Sequence, residues 1–197
     1  MGVLIVDTKV ANLSSVGFAF DRLGVAHKTS DDPEAIASAD RVLIPGVGAA
    51  PYAMRKIHEA GLYDVLRRLE QPVLGICLGM QLLFETLEEG GETVDGLGLV
   101  PGHVGALDTH DLPSPHMGWN TLGRLVDDPL THDLRNGDHA YFVHSYAVPV
   151  GAHTLAQTTY GQDFSAMVHH GNVRGCQFHP ERSSRTGASI LRAFATL

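Results

Sequence analysis

What this 197-residue chain has little of narrows its chemistry. It carries two cysteines, Cys77 and Cys176, too few for a disulfide scaffold or a four-cysteine zinc site. It has 14 Lys and Arg against 22 Asp and Glu, a formal charge of −8, so it lacks the basic surface that a phosphate-backbone binder needs. No apolar run reaches the roughly 18 residues of a membrane span. No glycine loop ends in the Lys of a P-loop, and no His/Asp/Glu spacing argues for a metal, so neither metal nor cofactor is expected. The opening, Met1-Gly2-Val3-Leu4-Ile5-Val6-Asp7, has no basic segment leading to a cleavage site. With free thiols and no export signal, the expected location is the cytoplasm.

What is present reads as one α/β domain over residues 1–197. Hydrophobic residues make up 44% and charged ones 18%, which argues against wholesale disorder. Apolar runs at 3–6, 25–28, 42–44 and 73–76 read as buried parallel strands. Between them, Leu13, Val16, Phe20 and Leu23 fall on one helical face, with Gly24 as a stop. Leu62, Val65, Leu66 and Leu69 form a second stripe, and Gly61 divides that region into two helices. Strand–helix alternation of this kind predicts a doubly wound sheet. From Gly98 onward the candidates are short and turn-bounded, at 99–107, 141–146, 154–159, 166–169 and 173–178. They predict a partly antiparallel extension of the same sheet, and Ile190, Leu191 and Phe194 predict a closing helix.

Three segments carry chemistry. In Gly75-Ile76-Cys77-Leu78-Gly79 an apolar strand runs into a cysteine between glycines, and an apolar helix is expected to begin. This is the thiol form of a nucleophile elbow, a turn too sharp for neighbouring side chains. The helix end would favour an anionic sulfur, and the Leu78 N–H would face a developing oxyanion. A thiol packed at the end of a core strand is the other reading. Cys176 has no such context and reads as core. In Gln177-Phe178-His179-Pro180-Glu181, the His emerges at the end of a strand, with a carboxylate two residues on to set its tautomer. His144, also ending a strand candidate, competes for the role of base or serves binding. In Ile44-Pro45-Gly46-Val47-Gly48, the glycines let backbone N–H groups approach a ligand, although an ordinary strand-to-helix turn reads equally well.

Taken together, Pro45-Gly46-Val47-Gly48, the Cys77 segment through Gln81 and the His179 segment resemble the class I (triad) glutamine amidotransferases. The likeness spans nearly the whole chain, and it includes Pro115-His116-Met117-Gly118-Trp119-Asn120 and Tyr141-Phe142-Val143-His144-Ser145-Tyr146. It implies a flavodoxin-like three-layer αβα sandwich, a mostly parallel central sheet with an antiparallel β extension. It implies Cys77 as nucleophile, His179 as acid/base and Glu181 as its orienter. Val47, Gly48 and Leu78 would hold the oxyanion, with the Val47 N–H turned toward it. Gln81, Ser145 and Tyr146 would hold L-glutamine. It further implies a glutaminase subunit paired as a heterodimer with a synthase (cyclase) subunit. His116, Met117, Trp119, Asn120, Tyr141 and Arg182 would face that partner. A cysteine hydrolase on the same sheet, a non-catalytic scaffold and an amidotransferase subunit of another pathway are the competing classes. The intact His179-Pro180-Glu181 speaks against the first two.

Overall fold

The computed structural model describes residues 2–197. The first half alternates as expected: β1 (Val3–Val6), α1 (Leu13–Leu23), β2 (His27–Ser30), α2 (Pro33–Ala37), β3 (Arg41–Gly46), α3 (Ala50–Glu59), α4 (Tyr63–Arg67) and β4 (Val73–Cys77). Gly24 closes α1 in the left-handed conformation, at φ 66°. The Asp32 carboxylate accepts from the Glu34 and Ala35 N–H groups and starts α2. β2 lies two residues later than its apolar signal because it is the half-exposed edge of the sheet.

The second half is built differently from the expected extension. After α5 (Leu78–Gln81) come β5 (Phe84–Glu89), β6 (Glu92–Asp95), β7 (Val100–Ala106), β8 (His116–Thr121), β9 (His139–His144), β10 (Tyr146–Ala147), β11 (Thr154–Tyr160), β12 (Gln162–His170) and β13 (Val173–Cys176). A single 3₁₀ turn (Pro180–Arg182) leads into α6 (Ser184–Phe194). Only β11, β12 and β13 join the main sheet, whose order is β11-β12-β13-β4-β3-β1-β2. The five strands from β13 to β2 are parallel, and β12 and β11 add on antiparallel. The others form a four-stranded sheet, β10-β7-β5-β6, and a separate β8–β9 ribbon. The apolar helix expected after Cys77 is only one turn long. Phe84 and Leu87 instead pair with Val100 and Val104 of β7, and this non-local pairing overrides the local apolar pattern.

The parallel strands are buried on both faces, and successive side chains enter opposite cores. Val3, Ile5, Leu43, Leu74 and Ile76 pack with Val16 and Phe20 of α1 and with Ile190, Leu191 and Phe194 of α6. Leu4, Val6, Val42, Ile44 and Val73 pack with Met54 and Ile57 of α3 and with Leu62, Leu66 and Phe84. This is the three-layer arrangement, and it brings the carboxyl ends of β3, β4 and β13 side by side.

Gly187 seats α6 on the turn that follows β13. A Cβ there would run into the Pro180 carbonyl. Gly187→Ala is expected to destabilise the chain by about 1–3 kcal/mol, read from urea unfolding. An unchanged midpoint would show that the contact yields freely.

Candidate active site

β4 delivers Cys77 to the edge of the sheet, with Gly46 of β3 as its register partner on one side and β13 on the other. Its backbone sits at φ 53°, ψ −114°, a conformation that an L residue keeps only when its surroundings enforce it, at about 1–3 kcal/mol. The enforcement is visible. A Cβ on Gly79 would strike the carbonyl oxygen of Ile44, and one on Gly75 would lie 2.6 Å from the Met80 Cα. The two glycines therefore let the turn lie flat on β3, and the sharp elbow follows. A four-residue helix has little macrodipole to lend, so the group that matters most to the Cys77 sulfur is His179.

His179 reaches that sulfur from β13 through Gln177 and Phe178, both fully buried. Its main-chain N–H donates to the Tyr141 carbonyl at 2.9 Å. The ring Nδ1–H donates to Glu181 Oε1 at 2.8 Å, which leaves Nε2 as the nitrogen available to Cys77, whose thiol itself donates to the Val143 carbonyl at 3.8 Å. Burial works against a charged ring here. Interaction with the neighbouring Cys77 sulfur and with the Glu181 carboxylate overcomes it and pushes the His179 pKa up to about 10. Glu181 Oε2 is buried without a hydrogen-bond partner, so the carboxylate is committed to the histidine. Ser183 makes a joint that the sequence does not announce. Its hydroxyl donates to the His179 carbonyl at 2.7 Å and accepts from the Tyr141 N–H at 2.9 Å.

The rival histidine is excluded by its bonds. His144 Nδ1 meets the Tyr146 carbonyl at 2.8 Å, and Nε2 meets His116 at 2.9 Å. Burial holds its pKa down to about 3, so the ring is neutral and both nitrogens are occupied. Cys176 is fully buried. Burial, with the Glu181 charge nearby, pushes its thiol far up, so it cannot supply a nucleophile.

Cys77 lies in a cavity of about 300 Å³ lined also by Val47, Gly48, Leu78, Gln81, Ser145, Tyr146 and His179. The structure thus gathers the expected nucleophile, base, oxyanion and glutamine residues in one place. Glu89 lines it as well, a residue that no sequence signal brings forward. It sits at the end of β5, where it accepts from the Ala50 N–H, and no motif marks it. The Val47 peptide differs from expectation. Its N–H donates to the Val10 carbonyl at 2.8 Å, so it faces away from Cys77. The loop after β3 pairs with the loop after β1, and the Thr8 hydroxyl reinforces this by donating to the Pro45 carbonyl at 3.4 Å.

A family model described as Glutamine amidotransferase class-I matches residues 8–196. The chain belongs to this family. It is 50% identical over 199 residues to the imidazole glycerol phosphate synthase subunit HisH of Vibrio cholerae, covering 99% of this chain and 98% of that protein. It is 51% identical to the HisH of Idiomarina loihiensis, covering 100% and 98%. Among solved structures, a crystal structure of a glutamine amidotransferase superposes with a TM-score of 0.75 at 20% identity, covering both chains completely. The glutaminase domain of Trypanosoma brucei CTPS with bound acivicin gives 0.64 at 17% identity, covering 100% of this chain and 94% of that one.

On this amidotransferase the β8–β9 ribbon stands over the site. Met117 and Trp119 are 62% and 54% exposed, and Trp119 meets Tyr141 edge-on at 5.9 Å. His116 departs from its expected place on a partner face. It is buried, stacked between Phe142 and Tyr160, because alternate residues of β8 point inward. Asn120 is half-buried and also turns inward, to Thr159 and His116.

The raised His179 pKa gives a signed prediction. The folded ring binds its proton more tightly than an ordinary histidine near 6.5, so its stabilisation is complete below that pH and is lost as pH rises toward 10. Unfolding free energy in urea is expected to fall between pH 7 and 10, and to fall less in Cys77→Ala. Identical slopes in the two proteins would remove Cys77 as a source of the shift.

Proposed function

We propose that the chain is the glutaminase subunit of imidazole glycerol phosphate synthase, acting as a single amidotransferase domain over its whole length. It hydrolyses L-glutamine and hands the ammonia to the synthase (cyclase) subunit, HisF, in a cytoplasmic heterodimer serving histidine biosynthesis. The observation that carries this reading is the Cys77–His179–Glu181 constellation in the cavity. It stands in a chain half identical, end to end, to HisH subunits.

The Cys77 sulfur attacks the side-chain amide carbon of glutamine. The Leu78 N–H holds the oxyanion. The Val47 N–H joins it once that peptide has let go of Val10 and turned about Gly48, whose φ of 90° suits such rotation. Each such donor lowers the barrier by about 3 kcal/mol. His179 protonates the departing nitrogen, ammonia leaves, and a γ-glutamyl thioester remains. His179 then takes a proton from water, the hydroxide attacks the thioester, and glutamate and the free thiol are released. Glu89 receives the substrate ammonium, and backbone groups near Gly48 and Ser145-Tyr146 hold its carboxylate. Gln81 fixes the chain between them.

Ammonia must leave without meeting bulk water and a proton. A second cavity of about 210 Å³ shares Val47, Val143 and His179 with the first and continues to Asn12, Tyr141 and Arg182. It emerges beside the ribbon that exposes Met117 and Trp119, the apolar anchors of the partner face. A net charge of −8 suits a chain whose own substrate is a zwitterion, with the phosphate chemistry left to the partner.

A γ-glutamyl chloroketone is expected to label Cys77 and spare Cys176 in the assembled complex, read by peptide mass mapping. Label on Cys176, or on neither thiol, would sink the assignment. The isolated chain is expected to hydrolyse glutamine slowly and to speed up when the synthase partner and its ligand are added. A chain equally fast alone would instead be a free-standing hydrolase.

A further inference from the structure

The exposed β8–β9 ribbon is joined to the glutamine cavity by an unbroken line of polar contacts, and their direction can be read from its outer end. The Asn120 amide is fixed by two backbone groups. Its Nδ2 donates to the Thr159 carbonyl at 3.0 Å, and its Oδ1 accepts from the Thr121 N–H at 2.8 Å. Turning it over would set donor against donor and acceptor against acceptor. The remaining Nδ2 hydrogen points at His116 Nε2, 3.2 Å away. That nitrogen must accept, so the His116 proton sits on Nδ1, which donates to His144 Nε2 at 2.9 Å. The His144 proton is then also on Nδ1, and it donates to the Tyr146 carbonyl at 2.8 Å.

Burial keeps both rings neutral, with His116 pushed down to about 4 and His144 to about 3. The same carbonyl accepts from Gln81 Nε2 at 3.0 Å, and the other Nε2 hydrogen goes to Gln177 Oε1 at 2.9 Å. Both donor positions of Gln81 are therefore occupied. What it can offer a ligand in the cavity it shares with Cys77 is its Oε1, an acceptor. Gln177 in turn leaves its own Nε2 buried and unpartnered, so its oxygen is held toward Gln81 at the expense of its other end.

We propose that Asn120, His116 and His144 form a hydrogen-bonded chain of fixed polarity. Acting through the Tyr146 carbonyl, it positions Gln81 to accept a hydrogen bond from bound glutamine. This deepens the functional reading above and rests on it. The three are positioning residues and touch no reacting atom. His116 and Asn120 lie on the inner face of the strand that turns Met117 and Trp119 outward, so the polarity of the glutamine site is anchored in the ribbon.

Two measurements on the assembled complex test this. Long-range ¹H–¹⁵N correlation spectra of the wild-type complex are expected to show His116 and His144 both as Nδ1–H tautomers. An Nε2–H tautomer on either ring overturns the proposal. Asn120→Asp keeps the shape but supplies only acceptors, so it reverses the demand along the chain. At saturating synthase partner it is expected to raise the KM for glutamine about tenfold and leave kcat within twofold. An unchanged KM overturns the proposal, as does a fall in kcat alone. A wild-type complex that hydrolyses no glutamine overturns the functional reading itself, whereas the tautomer spectra decide the polarity of the chain either way.

Discussion

Gly79 lays a bare Cα against the Ile44 carbonyl of the neighbouring strand, and the site is arranged around that approach. Because the turn lies flat on β3, Cys77 is held in a backbone conformation it would not adopt alone, with its sulfur at the junction of β3, β4 and β13. Because β13 runs parallel to β4 in close register, the chain leaving it delivers His179 to the same junction. Any side chain at position 79 would lift the turn off β3. The elbow, the loop after β3 and the segment carrying His179 would then lose their common reference.

Ser183 is the second joint. One buried hydroxyl bonds both the His179 carbonyl and the β9 strand of the ribbon at Tyr141. The segment bearing His179 and the ribbon bearing the exposed Trp119 are therefore joined through one side chain, with α6 seated behind them through Gly187. The Asn120–His144 line reaches the other side of the cavity. The ribbon is thus bonded to both walls, to the base through Ser183 and to Gln81 through Tyr146.

How much of this is legible in the sequence follows from how local each feature is. β1, β3 and β4 can be read because strands buried on both faces are continuous apolar runs, and α1 because its stripe and its Gly24 stop are local. The triad can be read because Cys77 and the His179–Glu181 pair each carry a local geometric signature. β5 cannot, because its apolar residues also fit a helix and only pairing with β7 decides between the two. The four-stranded sheet and the ribbon read as one extension for the same reason, since partner choice among short strands is non-local. Glu89 and Ser183 are single residues in polar surroundings of the sequence. His116 is placed on the partner face only by the resemblance, and strand alternation turns it inward.

The bond between Val47 and Val10 bears on how the chain treats its surroundings when it stands idle. An N–H group occupied by a neighbouring carbonyl cannot stabilise an oxyanion, and one missing donor slows such chemistry on the order of a hundredfold or more. Cys77 and His179 nonetheless line the same cavity. On the proposed assignment, the idle chain would hold glutamine in readiness without spending it, and the nitrogen would stay in the amino-acid pool until a single peptide turns.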